Sequence, residues 1–342
     1  MSIASHAPRV QGRLKSMWLA VAAALSIAVW LVLEQALQRP IHPQFAEMLL
    51  AARSMQAASR VLWMEKETRG LIPSAQADPN RTGMIGQEYT PITTTIGELP
   101  AKRTATNPDF AAALVRQLTS LKLARGAPVV IVVSGSFVGG DVAAITATET
   151  LGLRPIVIAS LSASMWGANE PELNLLDMLI ALREHNVIRT RATVAVLGGG
   201  GAIGGSMDAD GVAALRRSAA RDGVPIVEAR PVAALIDALL ARIKAAAGGA
   251  RPGAVINVGG ALIGLGSCRE SYEWPPGLTR RAPSCGDGTP GLAMRLAADG
   301  APVLHIINMR RLALEWGLPF DPIPLPIPGN NRAIYGAVKP AP

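Results

Sequence analysis

The sequence predicts an α/β fold: an amino-terminal transmembrane helix followed by an open, mostly parallel sheet with helices on both faces. Three observations carry this. Residues 17–33 (MWLAVAAALSIAVWLVL) hold no charge. From residue 109 onward, short apolar runs rich in β-branched residues alternate with helical stretches, and uniformly apolar strands joined by helices imply a parallel sheet covered on both sides. Only 4% of the 342 residues are aromatic, against 34 glycines, which suits helices packed on a sheet better than a sandwich.

Residues 34–37 extend the apolar run toward the ~20 residues that cross a bilayer. Arg9, Arg13 and Lys15 precede it and Glu34 is the first charge after it, so the positive-inside rule places residues 1–16 in the cytoplasm and everything beyond about 38 outside it. A cleaved signal peptide is the alternative, but its apolar core is shorter and EQALQ (34–38) lacks a small-residue exit. The expected location is therefore the inner or plasma membrane, single-pass, with the main domain extracytoplasmic. Cys268 and Cys285, the only cysteines, flank a Pro/Gly-rich segment and read as a disulfide in an oxidising compartment. Two cysteines without a nearby histidine give too few ligands for a metal, so none is expected.

Residues 38–108 read as a juxtamembrane helix followed by a long loop or lid. Phe45, Met48, Leu49, Ala52, Met55 and Leu62 fall at helical spacing over 43–70, and eight Pro or Gly breakers beyond Gly70 then punctuate 70–108. In the expected extracytoplasmic α/β domain (109–320), strands are predicted at 128–133, 155–159, 193–197, 225–227, 254–258 and 302–307. Helices are predicted at 141–151, 172–185, 209–222 and 232–247. The tail 321–342 opens with DPIPLPIPG, which favours polyproline II and cannot be helical. GNNRAIYG after it reads as a short terminal strand.

Three strands run directly into small-residue turns: VVSGSFVGGD (132–141), AVLGGGGAIGGS (195–206) and NVGGALIGLGS (257–267). Ligands of open parallel sheets bind beyond the carboxyl ends of the strands. If the three strands are neighbours, Gly135, Gly199, Gly200, Gly201, Gly204, Gly259 and Gly260 line one crevice and let backbone N–H groups approach an anion. Gly199, Gly201 and Gly204 also meet the dinucleotide spacing GxGxxG, with Glu228 where a ribose-binding carboxylate belongs. Against that reading stands the expected location, where nicotinamide cofactors are scarce, and no cofactor is expected.

Ser134 and Ser136 are candidate nucleophiles on a strand-turn-helix resembling a nucleophile elbow, although Val132 stands where its first glycine belongs. His305, inside a predicted strand, reads as a core residue rather than their base. Glu170, Glu172 and Asp177 read as helix-start carboxylates, while Trp166 and Asn169 just before them are expected to project into the crevice.

Net charge is +8, which favours polyanionic partners. The basic residues are dispersed, with no run longer than Arg280-Arg281 or Arg310-Arg311 and no interleaved aromatics, so a nucleic-acid groove is not expected. The segments at 82–112 (TGMIGQEYTPITTTIGELPAKRTATNPDFAA), 134–137 (SGSF), 162–178 (SASMWGANEPELNLLDM) and 197–204 (LGGGGAIG) resemble those of the poly-γ-glutamate system protein family, encoded beside the components that make and export that polymer. The resemblance implies a pathway rather than a mechanism, with poly-γ-glutamate or the pathway's membrane subunits as partners. It recasts the long loop as a basic, hydroxyl-rich lid in which Lys102 and Arg103 meet carboxylates. The expected function is a membrane-anchored accessory protein of polymer synthesis or export. A serine-dependent hydrolase or transferase acting on the polymer, or a dinucleotide-binding enzyme, are the alternatives.

Overall fold

The computed structural model describes residues 10–37 and 41–336. The expected cytoplasmic tail up to residue 9, the junction 38–40 and the last residues 337–342 lie outside the described residues. The chain divides into two units: residues 1–42 with 336–342, and residues 43–335.

In the first unit, α1 (Val10–Leu37) is one continuous helix of 28 residues. Its side chains from 17 to 32 are all exposed, including Trp18, Leu25, Ile27, Trp30 and Val32. Among the described residues no helix is long and apolar enough to cross a membrane.

The second unit opens with α2 (Phe45–Arg69), stopped by Gly70 in the left-handed conformation. Then come β1 (Thr93–Thr95), α3 (Leu99–Ala105), α4 (Asp109–Thr119), β2 (Pro128–Ser134), α5 (Val138–Thr150), β3 (Arg154–Ser160), β4 (Ala163–Ser164), β5 (Asn169–Glu170), β6 (Leu173–Asn174) and α6 (Leu175–Glu184). The chain continues through β7 (Ala192–Val196), α7 (Ala209–Asp222), α8 (Val232–Ala246), β8 (Ala254–Val258), α9 (Leu262–Leu265), α10 (Arg269–Glu273) and β9 (Gly277–Thr279). It closes with α11 (Leu292–Ala298), β10 (Val303–Ile306), α12 (Met309–Trp316) and α13 (Arg332–Tyr335).

Six strands form the main sheet in the order β7-β3-β2-β8-β10-β9, all parallel except β9, which pairs antiparallel with β10. Successive strands first step outward from β2 to β3 and β7, and then the chain returns to lay β8 on the other side of β2. The order therefore reverses between β2 and β8. Alternate residues enter opposite cores, as the period of two requires. Val129, Ile131, Val133, Val157 and Ile256 pack with α2, α4, α5 and α6. Val130, Val132, Ile156, Ile158 and Val255 pack with α8 and α11.

The mostly parallel α/β architecture agrees with expectation, while several elements depart from it, among them the short strands β1, β4, β5 and β6, which no apolar run announces. Residues 225–227 form no strand: only Ile226 bridges Ala195, because a three-residue run opening on Pro225 offers one register position to the sheet edge. The loop expected over 70–108 contains α3, started by Pro100 in its first turn, where a missing N–H costs no helical bond. Residues 332–335 are the helix α13 rather than a strand. The edge strand β9 has no counterpart in the apolar pattern. The Pro-rich tail packs on the same unit as the sheet: Arg103 forks onto the Asp321 carboxylate at 2.7 and 2.5 Å, and Asn80 Nδ2 donates to the Pro322 carbonyl.

Cys268 and Cys285 form a disulfide with Cα atoms 5.5 Å apart. It closes a 17-residue separation that contains only short elements. Replacing both cysteines by serine is expected to lower unfolding free energy by about 3 kcal/mol in the chain-entropy account. Urea titration of oxidised wild type against the double variant measures this, and equal midpoints would mean that the loop is held by its packing alone.

Candidate functional site

A crevice of about 640 Å³ opens beyond the carboxyl ends of β2, β3, β7, β8 and β10, at the reversal of strand order, where doubly wound sheets bind ligands. Its walls include Ser134, Ser136 and Phe137 after β2, Gly198 to Gly200 after β7, and Gly259 and Gly260 after β8. The three glycine-bearing turns thus meet in one cavity, although β3 stands between β2 and β7. Residues 94–98 together with Ala101 and Lys102 close it from the lid side.

Hydroxyls dominate its polar surface. The run S-L-S-A-S at 160–164 leaves β3 with the period of an extended chain, so Ser160, Ser162 and Ser164 all reach the crevice beside Ser134, Ser136 and Ser206. Among the described residues its only charged lining groups are Glu98 and Lys102. Glu98 faces Arg310 at 3.7 Å, and both groups are well exposed.

Lys102 is 5% exposed. Its Nζ donates to the Ser136 carbonyl and lies 2.8 Å from Ser164 Oγ, with the Phe137 ring 5.8 Å away. Burial pushes this amine down to about 7, with the Asp141 charge opposing. Asp141, on the first turn of α5, is itself fully buried, and burial holds its carboxyl well above the usual range against the Ser134 N–H and the charge of Lys102. One of its oxygens accepts from Ser134 N at 3.2 Å, and the other has no hydrogen-bond partner.

The glycine loop after β7 does not act as an amide cradle. Gly198 N–H donates to Ala202 O, Gly199 N–H to Ser162 Oγ, Gly200 N–H to Gly205 O and Gly204 N–H to Gly198 O. These donors are consumed within the fold, so the loop shapes the wall without offering them to an anion. A Cβ on Gly198 would sit 2.2 Å from Ser162 Oγ, which explains the glycine by packing alone. Gly201 and Gly204 do not line the crevice, and neither does Gly135, which is buried where a Cβ would meet the carbonyls of Leu161 and Ser162 at 2.9 Å. The dinucleotide spacing also follows β7, at the far end of the parallel strands, instead of the strand at the reversal point. Glu228 is tied to Arg216 on the surface. Neither fact supports a dinucleotide.

Trp166 and Asn169 do not project into the crevice. Trp166 is half-buried with φ at 64°, and the Asn169 amide ties the lid instead: its Oδ1 accepts from Gln87 N, and its Nδ2 donates to Gln87 O and Thr93 Oγ1. Arg103 turns away from the crevice to Asp321 and the Gln76 carbonyl. Asp177 completes a capping box with Asn174 at the start of α6, Glu170 pairs with Lys66, and Glu172 lies outside the crevice. His305 is a core residue, as expected: Asn257 Nδ2 lies 3.2 Å from its Nδ1, and its ring is 5.3 Å from Trp274.

No family model, curated protein or solved structure matches the chain. Among the described residues no cluster of histidine, cysteine, aspartate and glutamate could hold a metal ion.

Proposed function

We propose that this is a membrane-anchored accessory protein of poly-γ-glutamate synthesis or export, whose crevice receives a γ-glutamyl segment or the part of a pathway subunit that carries one. One observation carries the reading: the four segments that resemble the poly-γ-glutamate system proteins, distant from one another in sequence, all contribute walls to the same cavity. They supply the lid from Thr94 to Lys102, the turn from Ser134 to Phe137, the serines Ser162 and Ser164, and the loop from Gly198 to Gly200. Serine and threonine hydroxyls can donate to carboxylates or amide carbonyls and accept from amide N–H groups, which suits a chain of alternating amides and carboxylates. The uniformly exposed apolar surface of 17–32 and the disulfide support a membrane-tethered, extracytoplasmic setting.

The test is binding of γ-glutamyl oligomers to the full chain in detergent micelles at physiological salt. Gly260 lines the crevice with ordinary φ, and a Cβ there would meet nothing closer than 3.9 Å, so Gly260→Leu puts an apolar side chain at the crevice wall from a position with room for its Cβ. It is expected to weaken binding by about tenfold or more, each ~1.4 kcal/mol of lost contact being a factor of ten. No affinity in the wild type, or equal affinity in a Gly260→Leu variant with unchanged melting, would remove the crevice from this role.

A further inference from the structure

Lys102 and Ser164 stand in a relation that a merely hydrogen-bonding cavity does not need. Serine is a weak nucleophile unless a base takes its proton as it attacks. The Ser164 backbone is fixed from two sides: β4 pairs with β1, placing Ser164 opposite Thr95, and its N–H donates to Ser136 Oγ at 2.9 Å. The lysine stem is confined as well, since a Cβ on Gly97 would come within 2.7 Å of Lys102 Cε. Its amine therefore arrives at Ser164 Oγ, 2.8 Å away, on the crevice wall.

Competing assignments within the crevice are weaker. Ser134 Oγ accepts the Ser136 N–H as a turn cap, and Ser136 Oγ accepts the Ser164 N–H. Among the described residues neither hydroxyl is hydrogen-bonded to a base, whereas the Lys102 amine is 2.8 Å from Ser164 Oγ. No histidine lines the crevice. The groups facing Lys102 are the Asp141 carboxyl from α5, the Ser136 carbonyl and Phe137 ring from the turn after β2, and Ser164 from β4. Glu98, on the turn preceding its own helix, faces Arg310. A buried amine with so few compensating partners loses its proton readily. Once neutral, it can keep one N–H on the Ser136 carbonyl and turn its lone pair to the Ser164 O–H.

We propose that Ser164 and Lys102 form a nucleophile and general-base pair for acyl transfer on an amide of the γ-glutamyl chain, an inference that rests on the crevice receiving that chain. Ser164 Oγ forms a bond to the amide carbonyl carbon while its proton passes to Lys102 Nζ. The resulting ammonium gives that proton to the departing amine as the C–N bond breaks, leaving an ester on Ser164. Water, or the amine of another chain, then attacks the ester carbonyl and gives its proton to Lys102, which returns it to Ser164 Oγ as the ester bond breaks. The outcome is hydrolysis or transfer of the chain, with no redox change. Ser–Lys pairs are an established variant of the serine-nucleophile arrangement.

The experiment uses the full chain in micelles with a small alkyl fluorophosphonate, whose P–F bond breaks as Ser Oγ bonds to phosphorus. The adduct is located by peptide mass. Labelling is expected at Ser164, with a rate that rises with pH through a midpoint near 7 as Lys102 deprotonates. Lys102→Met and Lys102→Arg are each expected to slow labelling by about a hundredfold or more, the usual scale of general-base assistance. Should Lys102→Met melt early, Ser164→Cys with Lys102 intact gives a second reading, alkylation by iodoacetamide slowed severalfold by Lys102→Arg in that background. Absence of a Ser164 adduct from pH 6 to 10, an adduct confined to Ser134 or Ser136, or undiminished labelling in folded Lys102→Met would overturn the pair. Oligomer binding by Ser164→Ala separates the two claims: retained binding with no wild-type labelling defeats only the chemistry, while labelling without binding defeats only the polymer assignment.

Discussion

Lys66→Ala is expected to destabilise the 43–335 unit by about 3 to 5 kcal/mol, the scale seen when one partner of a buried ion pair is removed. Lys66, near the end of α2, is wholly buried and donates to Glu170 Oε2 at 2.5 Å. Burial pushes its amine below the ordinary lysine range, and Glu170 is the main influence holding the proton on. Among the described residues the Glu170 carboxylate has one other hydrogen bond, from the Gln87 side-chain amide at 3.1 Å, too little to compensate a buried charge. Denaturant midpoints measure the loss. The pair Lys66→Met with Glu170→Leu is expected to recover most of it, because well-packed apolar replacements of both charges are often close to neutral. A loss under 1 kcal/mol in the single variant would mean that water reaches Glu170 once the lysine is gone. The bond also spans from α2 to β5, the segment that turns from β4 into α6, and β4 carries Ser164. Its removal should accordingly loosen the crevice wall as well as lower the melting temperature.

The strands of the parallel sheet were legible because both of their faces are buried, which forces continuous apolar runs such as PVVIVV. β9 was not, since GLT carries no such run and owes its pairing to the β10 edge that it meets. The convergence of the three glycine turns followed from a general property of open sheets. What each turn does there depended on hydrogen bonds that no spacing reveals, as the internally spent donors of the loop after β7 demonstrate. As neighbours in a basic, hydroxyl-rich lid, Lys102 and Arg103 look equivalent in the sequence. Adjacent helical residues point about 100° apart, so α3 sends one to the crevice and the other to Asp321. Ser164 carries a signal in the sequence that spacing motifs do not capture: serines at alternate positions leaving a parallel strand place three hydroxyls at the ligand-binding edge. Asp141 offered no comparable signal, because an acidic residue in a first turn is ordinary for any helix.

Acidification is expected to expose the other buried base. Burial lowers His305 to about 4 from an ordinary 6.5, so in the folded protein it is neutral where the unfolded chain binds a proton. Between about 6.5 and 4 the unfolded state therefore carries the extra proton, and this group's contribution to stability falls as pH falls through that window. Complete passage amounts to about 3 to 4 kcal/mol. The cause is geometric as well as dielectric. Asn257 Nδ2 donates to the Gly259 carbonyl and lies 3.2 Å from His305 Nδ1, so a proton on Nδ1 would set two donors against each other. The Ser271 backbone favours the charged ring, but not enough to offset burial. Buried carboxyls act in the opposite direction: Asp78, Asp109, Asp141 and Asp222 are all raised by burial, so they bind protons more readily when folded and favour the native state as the pH falls toward their ordinary range. The histidine is isolated by difference. Stability of wild type minus that of His305→Gln, measured by denaturant titration at pH 7 and at pH 4.5, should shrink at the lower pH. A difference independent of pH would show that the imidazole is hydrated or protonated in the native state. Because Asn257 joins this histidine to the Gly259 carbonyl on the crevice floor, protonation that breaks the Asn257 contact should also perturb the turn after β8 before the sheet itself unfolds.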